Sequence, residues 1–167
     1  MFAYSKINSS FGDVYAVAKS GVLCKLIIGT QNFKNFKKKN TELKLVSANK
    51  SVPVTDELKS YFGGRLKKFS SKLNITSGTD FQKSVWKQLL KIPFGKVVTY
   101  KDIAKQIGKP HSYRAVGNAV GANPIPIVIP CHRVVSTIGI GGYSYGINYK
   151  VQLLKHEGID YKNRFIN

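Results

Sequence analysis

The chain of 167 residues has only two cysteines, Cys24 and Cys131, one tryptophan, one methionine and three histidines. With no CxxC pair and no histidine pair at ligand spacing, it has no disulfide framework and no zinc site, and a reducing, cytoplasmic setting is expected. Acidic residues are also scarce: eight Asp and Glu stand against 27 Lys and Arg, a net charge of +19. Long apolar runs are missing, and the uncharged stretch near the N-terminus, residues 7–12, is short and polar. No signal peptide or membrane span is therefore expected.

What is present is enough for a core. A chain of this length buries about 70% of its unfolded surface without metal or disulfide staples. The positive surplus sets a field that attracts polyanions, and nucleic acid is the first partner it suggests. Lysine kept for solubility is the plainer alternative. The charge is spread, with 14 basic and 4 acidic residues in positions 1–77 and 13 and 4 in positions 78–167.

Two domains are expected, an N-terminal α/β domain over 1–77 and a C-terminal domain over 78–167. Alternating apolar residues from Val14 to Ile28 around Lys19, Ser20 and Gly21 predict a β-hairpin. Residues 31–40, with Phe33 and Phe36 among four lysines, lack a sustained period and read as a solvated loop, with nucleic-acid contact as the other reading. Thr55 is expected to cap a short helix through Tyr61 and Phe62 that stops at Gly63 and Gly64. Residues 67–78, rich in Ser, Lys and Gly, mark the boundary.

In the second half Asp80 is expected to cap a helix through Phe81, Val85, Leu89 and Leu90 that ends before Pro93. Val97, Val98 and Thr99 form a brief extended piece, and Thr99 caps a second helix over 100–107. A third helix over 111–121 completes a helix-turn-helix pattern, which any helical hairpin would also show. The third helix carries Ala115, Gly117, Ala119 and Gly121, and only Arg114 and Asn118 can reach a base edge. Such a surface suits close approach to a backbone more than sequence reading, or packing against another helix.

After it, three prolines within seven residues exclude a helix, and Ile127, Val128 and Ile129 read as a buried extended stretch delivering Cys131. A thiol beside His132 and Arg133 can be activated if the imidazole takes its proton. The imidazole in turn needs an orienting carboxylate, for which Glu157 is the best candidate among the four acids of this half. An inert buried cysteine remains the open alternative for Cys131, and Cys24 reads as core.

The run from Asn123-Pro124-Ile125-Pro126 to Pro130-Cys131-His132-Arg133-Val134 resembles the active-site signature of the O6-alkylguanine-DNA alkyltransferases, the methylated-DNA-protein-cysteine methyltransferases. Supporting segments are Phe81-Gln82, Val85-Trp86, Pro93-Phe94-Gly95, Thr99-Tyr100, Arg114-Ala115-Val116-Gly117, Gly142-Tyr143, Leu153-Leu154 and His156-Glu157-Gly158, so that the resemblance spans residues 79–158. It implies a DNA repair protein that flips O6-alkylguanine out of duplex DNA through the minor groove and takes the alkyl group onto Cys131 in a single turnover, working as a monomer without a cofactor. His132 would act as base through a water, oriented by Glu157. Asn123 would be the hinge between recognition helix and active-site strand, and Tyr100 would donate a proton toward guanine N3 and help to rotate the phosphate. Arg114 would fill the gap in the duplex, with Ala115, Gly117, Asn118 and Gly121 at the DNA. Tyr143, Ser144 and Tyr145 would form a lid over the base pocket, with Pro126 and Val134 in its wall. The implied fold is α+β: a small N-terminal sheet with one or two helices, then a mainly helical domain.

Two departures stand out. Some relatives bind zinc through Cys and His in the N-terminal domain, where this chain has Cys24 alone and no His, so no metal is expected. Tyr145 is bulky where some relatives have Gly, and a crowded lid is expected to slow reaction with free benzylated guanine. A non-catalytic protein that binds alkyl lesions is the rival reading, and the presence of Cys131 argues against it. A helix-turn-helix regulator is the second rival, weakened by the few base-reading side chains on the third helix.

Overall fold

A computed structural model describes residues 1–48 and 52–160. The chain divides into two compact units, Met1–Ile75 and Thr76–Asn167. The fold is α+β, with a sheet in the first unit and a mainly helical second unit.

Unit 1 is a four-stranded sheet in the order β3-β2-β1-β4, built from β1 (Phe2–Ser9), β2 (Gly12–Lys19), β3 (Val22–Ile28) and β4 (Leu45–Ser47). β1 pairs antiparallel with β2 and parallel with β4. The β2–β3 hairpin turns at Ser20 and Gly21, both with positive φ, the conformation that matches strand twist in a two-residue loop. A bulge lies opposite Val17 and Ala18, which pair with Lys25 and Leu23 and leave Cys24 unpaired in the ladder. Cys24 is accordingly half-buried, with its thiol donating to the Val22 carbonyl, and is not a core residue.

A helix, α1 (Thr30–Lys39), with Asn40 as its C-cap, stands where a loop over 31–40 was expected. Phe33 stacks flat on Tyr15 of β2 at 4.1 Å and Phe36 packs beside it, so tertiary burial of two rings fixes a segment whose own pattern is only two apolar residues long. The second helix, α2 (Val54–Phe62), starts at Pro53 with no side-chain cap. Thr55, expected to be that cap, is instead buried inside the helix, where its hydroxyl bonds that of Ser5 on β1 at 2.6 Å.

Unit 2 holds α3 (Asp80–Leu89), β5 (Val98–Thr99), α4 (Tyr100–Gln106), α5 (Tyr113–Gly121), β6 (Val134–Val135) and α6 (Ile147–His156). Thr79, not Asp80, caps α3 through a reciprocal box with Gln82. Asp80 is the acid of the first turn, 3.7 Å from Lys83. Thr99 caps α4 with Asp102 in the same manner. Val85, Trp86 and Leu89 bury one face of α3, and the Trp86 indole donates to the Ala119 carbonyl of α5 at 2.8 Å. α5 begins at Tyr113, two residues after the expected start. β5 and β6 pair in parallel and bring the start of α4 beside the chain that follows Cys131. Among the described residues no helix is long and apolar enough to cross a membrane.

Candidate active site

The segment joining α5 to Cys131 is a compact turn where an extended stretch was expected. Asn123 donates through Nδ2 to the Ile129 carbonyl at 2.7 Å and accepts the Ile125 amide on Oδ1 at 2.9 Å. The Ile129 amide returns to the Ile125 carbonyl, and Ile127 adopts φ +74°, rare for a β-branched residue. Closing the loop on itself satisfies its backbone while Ile125, Ile127 and Ile129 stay fully buried. Cys131 then opens a single 3₁₀ turn, Cys131–Arg133.

Cys131 lines a cavity of about 230 Å³ together with Tyr100, Gly117, Val120, Gly121, Asn123, Pro126 and residues 142–145. Tyr100, Asn123, Pro126, Tyr143, Ser144 and Tyr145 thus meet the thiol at one place. Val134 does not: it is fully buried in β6, and its carbonyl accepts from Lys150. On α5, Arg114, Ala115, Asn118 and Gly121 are exposed and Gly117 is half-buried, because Val116, Ala119 and Val120 take the core face. A Cβ on Gly117 would lie 3.9 Å from the Tyr100 ring, and the Gly121 carbonyl accepts from the Ser144 hydroxyl at 2.9 Å.

Next to Cys131 in the chain, His132 is buried and meets the buried Glu157 at 2.7 Å, Nε2 to Oε1. Since a carboxylate only accepts, Nε2 carries the hydrogen and Nδ1 is the basic nitrogen. Nδ1 is buried with no hydrogen-bond partner among the described residues. Arg133 reaches both Glu157 oxygens, Nε to Oε2 at 2.8 Å and Nη2 to Oε1 at 2.9 Å, while Nη1 donates to the Ile92 carbonyl. Burial acts to raise the Glu157 carboxyl, but the hydrogen bonds and charges of His132 and Arg133 outweigh it and hold it well below the usual carboxylate range. Burial lowers His132 against the pull of Glu157, so the imidazole is neutral at pH 7. Burial also pushes the Cys131 thiol up, opposed by the Asn123 and Tyr143 side chains and the Lys150 charge. The resting sulfur is therefore a protonated thiol, and the next residue carries a neutral imidazole.

Two further residues of the site escaped sequence reasoning. Lys150 is fully buried, and its ammonium donates to the carbonyls of Val134 at 2.6 Å, Ile140 at 2.6 Å and Gly142 at 3.0 Å. It fastens the loop that carries Tyr143 to Tyr145, and burial brings it down to about 8. The available signal was its position: Lys150, Leu153 and Leu154 share one helix face at i, i+3, i+4. Tyr149 lies nearly parallel to Tyr143 at 6.4 Å between centroids, and Tyr143 in turn packs on Tyr145 at 5.9 Å. Tyr100 rests with its hydroxyl 3.5 Å from the Gly142 carbonyl, and a Cβ on Gly141 would come within 2.9 Å of that hydroxyl.

Comparison with known proteins agrees with this geometry. Residues 80–159 match the DNA-binding domain of 6-O-methylguanine DNA methyltransferase. The methylated-DNA-protein-cysteine methyltransferase of Methanosarcina barkeri is 55% identical over 102 residues, 60% of this chain and 64% of that protein. The protein of the same name from Mycobacterium bovis is 40% identical over 158 residues, 94% of this chain and 93% of that protein. The crystal structure of Mycobacterium tuberculosis O6-methylguanine methyltransferase superposes with a TM-score of 0.83 at 40% identity, covering 94% of this chain and 93% of that one. The structure of Mycobacterium tuberculosis OGT in complex with DNA gives 0.82 at 39% identity, over 93% and 92% of the two chains. With the cysteine signature, the buried His132–Glu157 pair and likeness along nearly the whole length of two such relatives, the chain belongs to the methylated-DNA-protein-cysteine methyltransferase family.

Proposed function

We infer that the protein repairs DNA by drawing O6-alkylguanine out of the duplex and moving the alkyl group irreversibly onto Cys131, one molecule spent per lesion. The observation that carries this reading is a free thiol that meets the Tyr100 side chain at one small cavity and is followed in the chain by a buried imidazole oriented by Glu157. A cavity of about 230 Å³ suits one base and not a base pair, which requires extrusion of the nucleotide at a cost of a few kcal/mol, least for a damaged base.

In this reading the imidazole Nδ1 of His132 takes the thiol proton through a water, and Glu157 stabilises the imidazolium that results. The sulfur attacks the alkyl carbon in line, the S–C bond forms as the C–O6 bond breaks, and the electron pair leaves with the guanine. Tyr100 supplies a proton toward guanine N3, so the base departs neutral. Burial keeps the Tyr100 hydroxyl protonated until then. Asn123 ties the end of α5 to the turn before Cys131, and residues 143–145 close over the base. The thioether that results has no second nucleophile to release it, and the reaction stops at one equivalent. No cofactor enters this scheme. α5 would lie in the minor groove, with Arg114 taking the space of the displaced base, and the protein would act as a monomer in the cytoplasm, where the thiol stays reduced.

Intact-protein mass after mixing with a duplex containing one O6-methylguanine tests this. One methyl replacing one hydrogen adds about 14 Da; the gain is expected on Cys131, saturating at one equivalent and absent from Cys131→Ala. Tight lesion binding with no mass change would instead mark a non-catalytic lesion-binding protein.

A further inference from the structure

We propose that the exposed face of α4 and the turn after it form a track for the sugar-phosphate backbone of one DNA strand, carried by Lys101, Lys105 and Lys109. The inference rests on the DNA-repair reading above and names a contact surface outside the pocket and outside the expected α5 contacts.

Lys101 and Lys105 stand at i and i+4 on one side of α4, about 6 Å apart along its axis, and Lys109 follows just past the helix end, where Gly108 turns the chain with φ +72° and the Lys109 amide closes on the Ala104 carbonyl. All three are exposed, and none has a carboxylate within salt-bridge distance among the described residues. Asp102 lies within the same helix, yet its carboxylate is taken by the amide and hydroxyl of Thr99. The row is also held at both ends. The Lys101 ammonium sits 5.8 Å from the ring centre of Tyr113, the first residue of α5, and the Lys109 ammonium sits 5.7 Å from that of Phe81 on α3. Fixing the two head groups against rings lowers the entropy lost when they meet an anion.

The position of the row gives it a function. It begins one residue after Tyr100, at the cavity, and runs away from it beside the helix expected to approach DNA. α5 offers a surface mostly of methyl groups and backbone, with Arg114 and Asn118 as its long polar side chains, so most of the binding energy has to come from phosphates. In a helix-turn-helix the first helix crosses the backbone, and α4 with the turn after it holds that place with three lysines that have no carboxylate partner among the described residues. The track fixes the strand along which Tyr100 and Cys131 meet the extruded nucleotide.

The test compares salt dependence of binding to an undamaged duplex for the full-length wild type, the triple variant Lys101→Gln, Lys105→Gln, Lys109→Gln, and a charge-matched control. The control is Lys34→Gln, Lys37→Gln, Lys38→Gln, which removes three equally exposed lysines from α1 in unit 1. Loss of three phosphate contacts makes the log–log slope shallower by about 2.7, so the drop in affinity between 50 and 200 mM salt becomes roughly fortyfold smaller. The α4 variant is expected to show that change, its Lys→Arg counterpart to restore the wild-type slope, and the α1 control to keep it. The duplex concentration that half-saturates methyl transfer rises in parallel for the α4 variant alone. An equal loss of slope in both glutamine variants would leave only a diffuse field and overturn the track, as would an unchanged slope in the α4 variant. If the wild type gains no methyl group while the slopes still separate as described, the track stands and the alkyl-transfer reading falls.

Discussion

Among the described residues, the buried polar and charged side chains of unit 1 are Ser5 and Thr55, which bond each other through their hydroxyls, and those of unit 2 are His132, Arg133, Lys150 and Glu157. The two units carry almost the same surplus of positive charge, yet the four buried His, Arg, Lys and Glu side chains are gathered in one of them. A buried charge is costly even when paired, and an apolar core of equal volume is commonly as stable or more so. Unit 1 follows the cheaper solution, with Tyr15, Val17, Ile27 and Phe33 packed as an apolar cluster. Unit 2 gives up stability around Cys131 to hold an imidazole in one tautomer and a loop over one cavity.

The sharpest way to break this contrast is Glu157→Gln. It leaves Arg133 buried without its counter-charge and His132 without its orienter, and a loss of about 3 kcal/mol in urea unfolding is expected. The single-turnover transfer rate falls at least a hundredfold, as the imidazolium loses its stabilising charge. Because the folded Glu157 carboxyl lies below its unfolded value, its contribution is complete above the ordinary glutamate range and is lost as pH falls through the folded value. Acid unfolding curves of wild type and variant should therefore converge at low pH; parallel curves would show that Glu157 does not set acid stability.

Phe33→Ala probes the other side. Removing the ring stacked on Tyr15 is expected to cost about 3 to 4 kcal/mol, with the transfer rate of the folded protein unchanged. A rate that fell with stability would erase the division of labour between the units.

Lys150→Met separates holding a loop from charge itself. Three carbonyls lose their donor, and a net destabilisation of about 2 kcal/mol at pH 7 is expected, with transfer slowed about tenfold as the loop over the pocket loses its anchor. The folded ammonium titrates near 8 and the unfolded one about 10.4. Between these values the unfolded chain holds more protons, so wild-type stability gains on the variant as pH rises through that window and is level below it. A difference that stayed constant from pH 7 to 11 would count against the lowering of Lys150 by burial. The smallest effect is Thr79→Ala, which removes the α3 cap at about 1 kcal/mol and leaves the chemistry alone.

Patterns carried by neighbours in sequence were legible from the chain alone. The hairpin at Ser20-Gly21, the Thr99 cap and the Cys131-His132 signature all depend on residues within a few positions of one another. The His132–Glu157 contact, 25 residues apart, was readable because unit 2 holds so few acids. What escaped was decided by partners far along the chain. α1 forms because Phe33 finds Tyr15, and Thr55 leaves the cap because Ser5 waits across the unit. Lys150 reads as a solvated cation until three carbonyls close on it, and Ile127 turns back on itself because Asn123 and Ile129 require it. Local propensity says little where a buried backbone must be satisfied.

The carbonyl of Gly142 accepts from two donors of unequal grip. Lys150 holds it at 3.0 Å and the Tyr100 hydroxyl touches it at 3.5 Å. The loop is thus moored by the ammonium, while the phenol is only parked. When a base arrives, Tyr100 can leave for a better acceptor without letting the loop go, and it departs from a berth too weak to compete. In the proposed reaction the proton donor would wait at the door, kept protonated by burial and held by a bond that holds very little.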